Sequence, residues 1–134
     1  MSATATLTTT TVAATEHRTA GRVSWKRGLA TGVAGAVAST AVAAAFQAAG
    51  HTLAVTDGPI PVLAFAQMVL LSTVVGIVIA RHTSRTTFYR AAVALTVLSC
   101  VPDVALGDGF VSKAGLMLTH AVAAAIIVPR LARR

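Results

Sequence analysis

The sequence predicts an all-α integral membrane protein: a four-helix bundle with short loops and both termini on the cytoplasmic side. Three observations carry this. Only 11% of residues are charged although 55% are hydrophobic, and a soluble domain of ordinary composition has about 25% charged residues to cover itself. Long uncharged runs recur along the chain. The basic residues fall into separate clusters between those runs, which alternate as the loops of a multi-span protein do.

The elements follow in order. Residues 1–20 are rich in Thr, Ala and Ser without apolar period, and read as a flexible tail. Residues 21–134 form the membrane domain. Its first span, Leu29 to Ala49, has no charge and at 1.5 Å per residue reaches roughly 31 Å, enough to cross a hydrocarbon core of about 30 Å. The run exceeds the apolar core of a secretory signal, so it is expected to stay as a span. GHTLAVTDGP then gives turn signals, and Ile60 to Ala80 is the second uncharged run. Arg81, Arg85 and Arg90 follow, with Phe88 and Tyr89 as interfacial anchors. The third span, 91–106, carries Pro102 and Asp103; the fourth, 113–129, is expected to close at Pro129. Both are short and need tilt, with Arg90 and Lys113 snorkelling to the interface.

Four spans place every basic residue except Lys113 on one side: Arg18, Arg22, Lys26 and Arg27; Arg81, Arg85 and Arg90; Arg130, Arg133 and Arg134. Cytoplasmic loops attract Lys and Arg in this way, so the expected location is the plasma membrane with N and C termini inside. A three-span layout would strand one cluster. The same clustering argues against nucleic acid as a partner despite the net charge of +7, since no basic face is interleaved with aromatics. The expected partners are the lipid bilayer and a second membrane protein or further copies of the chain. One cysteine, Cys100, excludes an internal disulfide and a multi-cysteine metal centre. No cofactor, metal or catalytic residue is indicated, and no nucleophile elbow or phosphate loop occurs.

Two features bear on packing and function. Gly28, Gly32, Ala36, Thr40, Ala44 and Ala48 recur every four residues, a row of small side chains that admits a close helix neighbour. Packing inside the monomer is favoured over a dimer face. A shorter row, Gly115, Thr119 and Ala123, lies on span four. Secondly, ionisable groups within a span are costly and mark function by default. Counting from the bordering arginines, Asp103 lies about 20 Å deep, His120 about 15 Å, Gln67 about 21 Å and Lys113 about 25 Å. They form a candidate polar cluster in the outer half of the bundle. Asp103 is expected to pair with Lys113, with His120 or with both: as a structural clamp, as a proton or ion relay, or as a contact to a partner. Thr96 and Ser99 share the Asp103 side of their helix.

LSCVPDVAL followed by SKAGLMLTHAVAAAIIVPRLARR resembles a group of short bacterial four-span membrane proteins, the domain of unknown function 6069. The matching features are Ser99 to Pro102, Lys113, His120 in an apolar helix, and Pro129 to Leu131 with the basic tail. The resemblance implies a four-helix membrane fold and brings no activity or catalytic residue. The expected role is a structural or accessory membrane component without enzymatic activity. The alternative is a small ion- or proton-coupled transporter acting as an oligomer. Four-span drug exporters carry a carboxylate in their first span, and this chain has none there.

Overall fold

The computed structural model describes residues 23–55 and 58–133. The expected tail, Arg18, Arg22, Asp57 and Arg134 lie outside the described residues. The chain forms α1 (Trp25–Ala48), β1 (Ala54–Val55), β2 (Gly58–Pro59), α2 (Val62–His82), α3 (Arg85–Leu106) and α4 (Gly109–Ala132). All four helices are long and apolar enough to cross a membrane.

The last two spans are longer than expected. α3 has 22 residues and α4 has 24, so each exceeds the roughly 20 needed to span. Charged residues do not end these helices: exposed Arg90 lies inside α3 and half-buried Lys113 inside α4. Pro129 does not close α4 either, which runs on to Ala132. A proline removes one donor but does not prevent a final turn from forming beyond it. The Arg130 guanidinium reinforces that turn, Nη1 donating to the Ile126 carbonyl at 2.9 Å.

α1 lies between α2 and α4, while α3 packs chiefly on α4 and touches α2 only slightly. The arrangement is thus a three-helix core with a flanking fourth helix, less closed than the expected bundle. α1 fits its place because it is lined with glycine. A Cβ at Gly28 would stand 2.6 Å from Ile77 of α2; at Gly32, 2.6 Å from Thr73; at Gly35, 2.8 Å from Ile127 of α4. The row of small residues therefore packs inside the monomer. It departs from the expected row past Thr40, which is half-buried, since Ala44 and Ala48 are exposed. A four-residue step turns the helix by about 40° beyond a full turn, so five steps carry the row roughly 200° around the axis. The buried face instead follows Gly28, Thr31, Gly32, Gly35, Ala36, Ser39 and Ala43. From α4, Thr119 meets this face, its carbonyl accepting a hydrogen bond from Ser39 Oγ at 3.3 Å.

Two apolar clusters hold the ends. At one end Val23, Ile77, Ala80, Phe88, Leu131 and Ala132 pack together, joining the start of α1, the end of α2, the start of α3 and the end of α4. Arg81 closes this end, Nη1 donating to the Val23 carbonyl at 2.7 Å with its guanidinium 5.6 Å from the Trp25 ring. The described basic clusters gather here, each at or just beyond one of these helix ends. Ser84 caps α3, its Oγ accepting from the Thr87 amide at 3.2 Å. A cap of this kind contributes about 1 kcal/mol. Ser84→Ala is expected to lower stability by about that amount in detergent unfolding, with Thr87→Ser unchanged because the amide donor remains.

At the opposite end Ala43, Leu53 and Leu116 form the second cluster. The α1–α2 connection is not the plain loop expected. β1 and β2 pair antiparallel, Ala54 with Pro59 and Val55 with Gly58. Val55 also bridges Gly107 in the α3–α4 turn, and the Asp108 amide donates to the Ala54 carbonyl at 3.0 Å. Ser112 Oγ donates to the Thr52 carbonyl at 3.0 Å and accepts from the Ala54 amide at 3.4 Å. These bonds satisfy a connection that would otherwise present bare polar backbone near lipid.

Candidate functional site

Asp103 is the only ionisable side chain buried among the described residues, at 9% exposure. Its partner is His120, whose Nδ1 lies 2.9 Å from Oδ2 of the carboxylate. Sequence counting left a gap of about 5 Å in depth between them. Helix geometry closes it. Side chains lean toward the N-terminus of their own helix, and α3 and α4 are antiparallel neighbours, so the two lean toward each other. The His120 ring reaches back one turn, with Nδ1 also 3.1 Å from the Leu116 carbonyl. If that carbonyl takes the ring N–H, Oδ2 faces the nitrogen off the N–H axis; despite the short approach it has no aligned hydrogen-bond partner. The contact is therefore electrostatic, with an acceptor left over.

Lys113 does not join them. No ion pair links it to Asp103 or His120 among the described residues, and its aliphatic stem lies against Gly107, where a Cβ would be 2.8 Å from Cγ. Of the two partners expected for Asp103, the structure brings His120 to it and leaves Lys113 apart. Gln67 is also apart, exposed on α2. It stands about 120° around that helix from the face formed by Thr73, Ile77 and Ala80, because each residue turns the helix by about 100°. Equal depth is not equal direction. Thr96 and Ser99 spend their hydroxyls on their own helix, donating to Ala92 and Thr96 carbonyls at 2.8 and 2.7 Å. His51 and His82 are exposed and lie outside the site, His82 as the last residue of α2.

Cys100 is the member that sequence reasoning missed. Its Sγ, a carboxylate oxygen of Asp103 and a ring nitrogen of His120 all lie within 4.8 Å of one another. The signal was present: Cys100 and Asp103 are three apart, hence on one helix face. What the sequence could not supply was the third residue, which comes from the facing helix. Cys100 is half-buried and borders a shallow apolar groove with Val97, Val101, Val104 and Ala105. A thiol, a carboxylate and an imidazole on two helices can share a proton, hold a cation or tie the helices together.

Four apolar helices with an ionisable pair between the last two define a multi-pass membrane protein with a polar site at the α3–α4 seam. The model of the family of unknown function DUF6069 matches residues 17–134, and the chain belongs to that family. No curated protein and no solved structure matches it.

Proposed function

We propose that this is a structural or accessory subunit of the plasma membrane, not an enzyme, with both termini in the cytoplasm. The orientation rests on the basic residues gathered at one end of the helices, the side that cytoplasmic loops favour. The role rests on α3. It buries only Phe88 and Asp103 and leaves Val93, Val97, Val101 and Val104 exposed as one stripe. The glycine-lined core is already filled by its own neighbours, so α3 is the helix free to pack against another protein.

A photo-crosslinking residue at Val97, introduced into cells, is expected to give one discrete protein adduct, with none from exposed Leu71 on α2. Equal labelling at both positions, or lipid adducts alone at Val97, would overturn this role. A second reading, an oligomeric ion- or proton-coupled transporter, is favoured by one observation: the Asp103–His120 pair within the spans. It requires an adduct of twice the chain's mass and pH-driven flux in proteoliposomes that His120→Ala abolishes.

A further inference from the structure

We infer that Cys100, Asp103 and His120 form a binding site for one divalent transition metal ion of the zinc class. Three observations support it together. The donor atoms of a thiol, a carboxylate and an imidazole lie within 4.8 Å of one another. Donors around a tetrahedral zinc ion at about 2.0–2.3 Å are separated by about 3.3–3.8 Å, so side-chain rotations that close the cluster by about an ångström bring all three onto one ion. Secondly, Asp103 Oδ2 is buried and has no aligned hydrogen bond, an acceptor aimed into the cluster that a cation would satisfy. Thirdly, the Leu116 carbonyl is placed to accept the Nδ1 proton of His120 at 3.1 Å. Metal-binding histidines are oriented in this way by a hydrogen bond from the ring nitrogen they do not use.

Charge decides in favour of an occupied site. A carboxylate within the spans is an expensive charge unless something balances it. On binding, the Cys100 thiol gives its proton to water. Thiolate and carboxylate then balance the dication, and the neutral imidazole completes a cluster of zero net charge. The mixed sulfur, nitrogen and oxygen set suits zinc or cobalt rather than magnesium or calcium, which take oxygen donors. Three protein ligands leave a fourth position open. Cys100 borders the exposed groove of α3. Cys100 stands six residues from the end of α3, roughly 9 Å below the turn, a short path from the water at that end.

The full chain in detergent or nanodiscs, titrated with Co2+ alone, tests this. Cys100 is the only cysteine in the sequence, so a cobalt–thiolate charge-transfer band can come from no other residue. The expected result is one Co2+ per chain with that band, displaced by Zn2+. Cys100→Ser should abolish the band. Asp103→Asn and His120→Ala should each weaken binding at least tenfold, since loss of a mere supporting contact costs about 10–100-fold. Because these variants also disturb the seam, protection of native Cys100 from alkylation by added Zn2+ provides a readout without any substitution. No thiolate band, an unprotected Cys100, or half an ion per chain with two thiolates would each overturn the site.

Discussion

Gly32→Val is expected to separate α1 from α2 and to be the most damaging single change in the core. A Cβ at Gly32 would lie 2.6 Å from Thr73 Cγ2 and 2.9 Å from both Cβ and Oγ1 of the same residue. Thr73 cannot turn aside easily, because its Oγ1 donates to the Val69 carbonyl at 2.7 Å and the residue is buried. Overpacking of a filled core costs about 1–3 kcal/mol, and a branched side chain against a fixed one belongs at the upper end or beyond. Gly76→Ala is the control: its Cβ would meet only Leu131, at 3.4 Å. Unfolding in mixed micelles should show a large loss for the first and little for the second. Equal stability of the two would mean that the helices do not approach as closely as the structure has them.

His120→Ala should destabilise the α3–α4 seam by about 2 kcal/mol, because it leaves a buried carboxylate without its polar neighbour. The pair is unequal in burial, His120 being 36% exposed and Asp103 12% by side chain. Removing the histidine should therefore hurt more than Asp103→Asn, which leaves no charge stranded. In the double variant the two losses should not add. Neighbours in one pair typically couple by about 0.5–3 kcal/mol, and the cycle measures that coupling directly. Additive losses would show that the 2.9 Å approach carries no energy.

Much of the fold was readable in advance, for definite reasons. Spans one and two are uncharged runs, and the alternation of basic clusters required two more. The ends of α3 and α4 were misplaced because Arg90 and Lys113 looked like boundaries, although long basic side chains can leave a helix sideways to reach water. The paired residues Ala54–Val55 and Gly58–Pro59 are too short to show any period. At the site, Asp103 and His120 were found by the cost of charge in lipid. The choice of His120 over Lys113 depends on side-chain lean, and Gln67 stands apart because depth along a helix does not fix direction around it. Cys100 was passed over because its role depends on a neighbour from another helix.

The hydrogen-bonded connection of Ala54 and Val55 to Gly107 and Asp108 has a consequence for biogenesis. It ties the α1–α2 hairpin to the α3–α4 hairpin through backbone groups that a chain ending after α2 lacks. A nascent chain that has inserted only α1 and α2 leaves the Ala54 carbonyl without Asp108 and the Thr52 carbonyl without Ser112. Arrival of the fourth helix supplies both partners at once. The connection thus acts as a latch between the two hairpins, and it separates a chain in which both are in place from one that has inserted only the first.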